Sequence, residues 1–533
     1  MKSRSPNIIF ITADQMAAKH LNCYGSGIHS TPALDAIATK GTRFERYYAS
    51  SPVCAPNRAI MLTGRSSVVN GMISNNHTLC SDTPTYVQVL KYHGYHTGGF
   101  GKFHLCPMPL PHPPNYSHLG FDETVITEDP KWGDYTEWIR KEHPEHFDAA
   151  LAVAWGGPKM HKPFPDTRYD GNYVREVRQS ILTPLRSASP WSQFYTSPLP
   201  PECHQTTWIT DLAVDYMRRH LERAPEQPFM CAVSYVDPHD PYDPPEPYDT
   251  IFDPKDMPDP IPAAWKEQGN ATLERLEFWR GFKQVSDNID VVKQLRAHYH
   301  GSIKLIDDQI ARIAAFLDEN DLWEDTILVF STDHGDCMGD HQLITKGMIP
   351  YDAGIRCPMI VAGAGISAQV SDLLTCTLDL FPTFCDWASV PVEKRPPVEG
   401  KSFADACCKN TPSETWDSVQ VVVAEVESVV SADGWRLTVF DDDDSPNQLI
   451  NLIEDPLEQV NRYNDHSCIN IRLRMFEALA HHNIRIRMTH QYRNLPVVGG
   501  QKRVPGGEGN GQLVNPMPIY CDPTLTPKFE AFE

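Results

Sequence analysis

Cysteine is too scarce in this chain for a disulfide framework: 14 are spread over 533 residues, none forms a C-x-x-C pair, and only Cys407 and Cys408 are neighbours. Such usage fits reduced thiols in a reducing compartment. A basic cluster dense enough to follow a nucleic-acid backbone is also missing, and 47 Lys and Arg against 69 Asp and Glu leave a formal charge of -22. Nucleic acid and anionic membrane surfaces are therefore not expected as partners. No run of about 18 apolar residues occurs, and the opening MKSRSPNIIFITADQ ends its short apolar stretch in a carboxylate instead of a small-residue cleavage site. Neither a membrane span nor a signal peptide is expected, which makes the cytoplasm the expected location. What is present is globular: 41% hydrophobic, 10% aromatic and 22% charged residues exclude disordered, collagen-like and coiled-coil classes.

Two apolar runs, residues 7–12 (NIIFIT) and 326–331 (TILVFS), suit strands buried on both faces of a parallel sheet. Asp14 follows the first and Asp333-His334 the second. Neighbouring strands would bring these groups to one sheet edge, where open α/β sheets hold their ligands. Further strands are expected at 229–236 and 358–362. Residues 291–317 repeat Leu295, Tyr299, Ile303, Ile306, Ile310, Ile313 and Leu317 at helical steps. This alternation predicts an α/β fold, a large, mainly parallel sheet flanked by helices over residues 1–395. Within it, about 107–205 has weak periodicity and reads as an irregular insertion of the kind that walls a substrate pocket. A helix is expected at 375–387. Residues 396–490, with strand candidates at 419–423 and 435–440 and a helix near 469–481, form a smaller α+β subdomain. The Gly/Pro-rich 491–533 is a tail, either disordered or laid across a neighbouring subunit of a homo-oligomer.

The strongest local signal is Cys54-Ala55-Pro56-Asn57-Arg58, running on to Leu62-Thr63-Gly64-Arg65. Pro56 suits a first helical turn, the apolar run after it propagates a helix, and Gly64 ends it. Cys54 then sits at or just before a helix N-terminus, where unpaired N–H groups and the helix dipole favour developing negative charge, with Arg58 one turn on. A nucleophile for an anionic ester belongs at such a place.

The chain here resembles the sulfatase family of the alkaline-phosphatase superfamily, whose C-x-P-x-R…T-G-R signature is matched from Cys54 to Arg65. The likeness extends in order to Asp14, to Gly101-Lys102-Phe103-His104, to Asp237-Pro238-His239 with Tyr242, and to Asp333-His334-Gly335…Gly339-Asp340-His341 with Lys346. Asp455-Pro456-Leu457-Glu458 is similar to a segment that closes many sulfatases.

The resemblance implies oxidation of Cys54 to formylglycine by a formylglycine-generating system, and a hydrated aldehyde as nucleophile. It implies a divalent metal on Asp14, Asp333, His334 and residue 54, with Gln15 as a weak ligand or a residue beside the ligands. Many calcium-type sulfatases carry Asp and Asn where this chain has Gln15 and His334, so manganese is the expected metal, with calcium, iron or zinc as the others considered. By the same likeness Arg58 serves the nucleophile and Lys102 neutralises charge there. His104 takes the proton of the diol, and His239 and Lys346 face the leaving-group oxygen and contact substrate. Two residues apart on an extended segment, Lys102 and His104 would point the same way. Asn75 matches a substrate-contacting residue of choline sulfatases, or else is turn chemistry alone.

The expected activity is hydrolysis of organic sulfate monoesters, aryl or alkyl, as small-molecule substrates. The alternative is a phosphonate monoester or phosphodiester hydrolase built from the same parts. The Lys102/His104 pair, usually absent from phosphonate monoester hydrolases, favours the sulfate ester.

Overall fold

The computed structural model describes residues 5–108, 116–154, 171–279, 283–347, 351–408 and 414–493. Nine described strands form one sheet: β1 (Asn7–Ala13), β2 (Thr42–Tyr48), β3 (His96–Gly101), β4 (Glu123–Ile126), β5 (Phe229–Ser234), β6 (Thr326–Thr332), β7 (Arg356–Gly363), β8 (Gln369–Ser371) and β9 (Thr375–Cys376). Their order is β4-β3-β5-β1-β6-β7-β2-β8, with β9 also on β2. Every described pairing is parallel except the two made by β7.

The apolar runs form strands because both faces of the sheet are covered. Ile9 and Ile11 point into one core with Ile303, Ile306 and Ile310 of the Ile289–Glu319 helix, the amphipathic segment anticipated from its period. Ile8 and Phe10 point into the other, where the Phe10 ring meets Phe384 edge-on at 5.3 Å. Burying each such side chain on two faces contributes about 1.5–3 kcal/mol.

β3, like β2, β4, β8 and β9, is not among the strands expected from sequence, and its HTGGFG weakens any strand propensity. The glycines make room for packing. A Cβ on Gly98 would lie 2.7 Å from the Tyr216 ring of the Gln205–Arg223 helix.

Two expectations are corrected. The 375–387 helix is confined to Leu380–Trp387, because Thr375 and Cys376 are drawn into pairing with β2. The described parts of 107–205 are not irregular: β4 pairs with β3, and helices span Asp134–Glu142, Phe147–Val153, Gly171–Ser180 and Leu182–Ala188. These helices are at most 10 residues long, with Pro144 between the first two, so no long periodic run marks them, and Tyr135 and Trp138 pack on Trp208.

A second, antiparallel sheet has the order β10 (Ser418–Val423), β11 (Val426–Ser431), β12 (Trp435–Phe440), β13 (Gln448–Asn451). The Ile469–Arg493 helix covers it through Met475 and Leu479. Val419, Val421 and Val430 bury against Tyr48, Ile355 and Cys376, which lie on or beside the nine-stranded sheet. Of the expected tail, 491–533, residues 491–493 continue the Ile469–Arg493 helix and 494–533 lie outside the described residues. Among the described residues no helix is long and apolar enough to cross a membrane.

Candidate active site

Strand register assembles the site. Ala13 pairs with Thr332, so Asp14 and Asp333 leave β1 and β6 side by side. Ser234 pairs with Gly101 on β3, while Thr12 pairs with Ser234 from the other side, so Lys102 and the 235–243 loop leave the same edge.

Onto this edge the Cys54–Thr63 helix presents its first residue. Val53 precedes it in extended conformation, and Gly64, at φ 61°, ends it where a Cβ would meet Phe381 at 2.7 Å. Cys54 Sγ lies 3.2 Å from His334 Nε2 and 3.8 Å from Asp14 Oδ1. Ligand atoms of Asp14, Cys54, Asp333 and His334 all fall within 4.8 Å of one another, and all four residues are buried.

The donor set suits a cation. Nδ1 of His334 lies 3.0 Å from the Gly335 carbonyl, which can only accept, so Nδ1 carries the hydrogen and Nε2 keeps a lone pair facing Cys54. Burial pushes the pKa of His334 down, which favours that neutral form. Burial raises Asp14, but Lys102 and then Arg58 outweigh it and hold the carboxyl well below its usual range. Gln15, at φ 63°, donates Nε2–H to Asp336 at 2.6 Å, and its buried Oε1 has no hydrogen-bond partner. That orphaned oxygen fits a ligand better than a packed amide.

Arg58 ties the acids together. Its Nε donates to Asp333 Oδ2 at 2.8 Å and its Nη2 to Asp14 Oδ2 at 3.2 Å, while Nη1 donates to the Lys102 carbonyl and Ser234 Oγ. Lys102 is fully buried with Nζ 2.5 Å from Asp14 Oδ2, and its other ion pair is with Asp129. Burial lowers its pKa, yet Asp129 and Asp14 raise it well above the usual value, so it stays a cation.

His104 departs from the expected extended segment: its φ is 48°, because Glu128 Oε1 accepts from the backbone N–H of both Phe103 and His104. Its Nδ1 is buried without a hydrogen-bond partner, and burial followed by Lys102 pushes its pKa well below the ordinary histidine value.

His239 and Lys346 are in direct contact through Nε2 and Nζ. Nδ1 of His239 donates to the Asp240 carbonyl at 2.6 Å, leaving Nε2 for chemistry. Burial and Lys346 push its pKa down, Asp240 and Asp129 push it up, and the carboxylates prevail at about 9.

Asn75 turns its Oδ1 to the Ala55 N–H at 3.1 Å, capping the first turn of the Cys54 helix from another loop. Sequence reasoning missed Glu128 and Asp129, which follow a strand of four residues and carry no local motif. It also missed Asp240 and Asp336.

The family model described as Sulfatase matches residues 6–390. An arylsulfatase of Clostridium perfringens is 29% identical over 419 residues, 75% of this chain and 78% of that protein. The multifunctional alkaline phosphatase superfamily protein PehA of Trinickia caryophylli is 26% identical over 404 residues, 72% of each chain. A phosphonate monoester hydrolase from Silicibacter pomeroyi shares the fold with a TM-score of 0.72 at 21% identity, covering 90% of this chain and 95% of that one. With the match running from before β1 to beyond the Leu380–Trp387 helix, the chain belongs to the sulfatase family of the alkaline-phosphatase superfamily.

Proposed function

We propose that the protein hydrolyses the S–O bond of organic sulfate monoesters, giving an alcohol or phenol and inorganic sulfate, with residue 54 as formylglycine and a divalent metal at the buried cluster. The observation that carries this reading is the meeting of Cys54, at the start of its helix, with Asp14, Asp333 and His334 under the paired cations Arg58 and Lys102.

Asp14, Asp333, His334 and residue 54 would hold the metal, with Gln15 Oε1 alongside. Imidazole ligation suits manganese, iron or zinc better than calcium. The metal supplies Lewis-acid polarisation of oxygen and lowers the pKa of a hydroxyl beside it. Hydrated formylglycine supplies two geminal hydroxyls, one to take the sulfuryl group and one whose deprotonation expels sulfate.

The chain's own groups do the rest. Arg58 orients Asp14 and Asp333 by donating to both, and with Lys102 it keeps Asp14 ionised. His104, neutral by burial, accepts the proton of the second hydroxyl. Nε2 of His239 delivers a proton to the departing oxygen. Lys346, in contact with His239 through Nζ and Nε2, would bring positive charge to the departing oxygen of the anionic ester.

Two measurements on the purified protein test the reading. Conversion of Cys54 to the aldehyde lowers the mass of its peptide by about 18 Da. The kcat/KM for 4-nitrophenyl sulfate should exceed that for phenyl phosphonate and for a bis-aryl phosphodiester. A tenfold or greater preference for either phosphorus ester, about 1.4 kcal/mol, would overturn the sulfate assignment, and an unmodified thiol in active enzyme would overturn the formylglycine assignment.

A further inference from the structure

We propose that Asp129 is a positioning residue for this hydrolysis, one buried carboxylate that holds Lys102 on the nucleophile side and His239 on the leaving-group side in fixed relation. The inference rests on the sulfatase reading above and adds to it a residue that no sequence motif marks.

Asp129 is only 4% exposed. Its Oδ1 pairs with Lys102 Nζ, and its Oδ2 lies 3.9 Å from His239 Nε2. The second distance is that of a charge pair and not of a hydrogen bond, so it acts on the imidazolium form.

The segment that carries Asp129 is held from three directions. Gly101 pairs with Ile126, and Thr127 N–H donates to the Gly101 carbonyl at 3.1 Å, which lays residues 127–129 beside 102–104. Glu128 accepts the backbone N–H of Phe103 and His104. From the Gln205–Arg223 helix, Gln205 Nε2 donates to Thr127 Oγ1 at 2.5 Å and to the Glu128 carbonyl at 3.3 Å.

His239 needs such a partner on one particular side. Its Nε2 touches the Lys346 ammonium, which works against a proton there. Asp240 sits on the opposite side of the ring, 3.4 Å from Nδ1. Asp129 is the carboxylate on the Nε2 side, where a proton must wait for the departing oxygen. Removing its charge would leave Lys346 unopposed at that atom, while the Nδ1 donation to the Asp240 carbonyl still holds the ring in place.

A purely structural role would slow all substrates alike, whereas a role through the acid depends on how much the leaving group needs a proton. Asp129→Asn keeps shape and an acceptor oxygen but removes charge. With full-length, metal-loaded, aldehyde-bearing enzyme, kcat and KM are measured for aryl sulfates graded from 4-nitrophenyl to phenyl. General-acid catalysis is worth roughly 10²–10⁴-fold, so the kcat loss should grow from about tenfold on 4-nitrophenyl sulfate to at least about a hundredfold on phenyl sulfate. The KM should stay within about threefold. In a His239→Gln background, D129N should add no further dependence on the leaving group.

An equal loss across the series, or a dependence that survives in H239Q, would overturn the proposal. If D129N melts below the assay temperature, Asp129→Glu keeps the charge but displaces it and reads the same series, and a flat series there overturns the proposal equally. Wild-type enzyme that releases sulfate from none of the esters would sink the sulfatase reading itself, a result visible before any variant is made.

Discussion

The ammonium of Lys102, wholly out of contact with solvent, lies 2.5 Å from the Asp14 carboxylate at the centre of the site. Neither charge could be buried alone. The pair exists because β1 and β3 flank β5 in register and deliver the two residues to the same depth.

Replacing Lys102 by Met should therefore cost stability as well as activity. Removing one partner of a buried charge pair costs about 3–5 kcal/mol, here with Asp14 and Asp129 both left exposed to each other. Urea denaturation should show a lower midpoint with an unchanged slope, and sulfate release should fall to background. A variant as stable as the parent would mean that a bound cation replaces the ammonium, which metal analysis would reveal.

Asn75 separates capping from substrate contact. Asn75→Ala should lower stability by about 0.5–2 kcal/mol through loss of the acceptor for Ala55 N–H. Asn75→Asp, which keeps an acceptor beside a helix N-terminus, should restore most of it. If instead both variants keep full stability and raise KM, the side chain serves substrate and not the helix.

The C-terminal sheet is fastened beside the 333–347 loop through Glu458. Glu458 accepts from the Asp352 N–H at 3.1 Å and pairs with Arg436, which is fully buried on β12. Glu458→Ala or Arg436→Met alone should each cost about 3–5 kcal/mol, whereas the double variant should cost less than their sum. Chemical denaturation of the four proteins of that cycle gives the coupling directly; additive losses would show that the pair is not one unit.

Acid stability has a contributor outside the site. Burial, then Arg296 and Lys19, push His300 down to about 3, and Ser30 Oγ hydrogen-bonds its Nδ1 at 3.0 Å. The unfolded chain binds a proton near the ordinary value of about 6.5. Stability from this group is thus present above about pH 6.5 and lost as the pH falls toward 3, with a limiting slope of about 1.4 kcal/mol per pH unit for one proton. His300→Gln should reduce the slope of unfolding free energy against pH in that window, and an unchanged slope would assign the proton elsewhere.

Much of this was legible before any coordinates. Continuous β-branched runs announced β1 and β6 because a strand buried on both faces needs no polar alternation. The Cys54 helix announced itself through Pro56 and Gly64. β3 stayed hidden because its glycines make room for groups set by the fold, Gly98 for the Tyr216 ring from 118 residues further along and Gly99 for the Phe103 and Phe121 rings. His104 was read as extended because nothing local reveals that Glu128 captures its backbone N–H.

The amino-acid sequence by itself determined the chemical inventory: a cysteine at a helix start, two acids after apolar strands, and the lysines and histidines in family order. Only the tertiary structure decided which charges face which. Strand register and long-range burial put Asp129 between Lys102 and His239, turned Asn75 toward Ala55, and freed Nε2 of His334 toward Cys54. The physical reason is that local propensity acts over a few residues, while the pairing of buried charges is set by desolvation among groups that lie far apart in the chain.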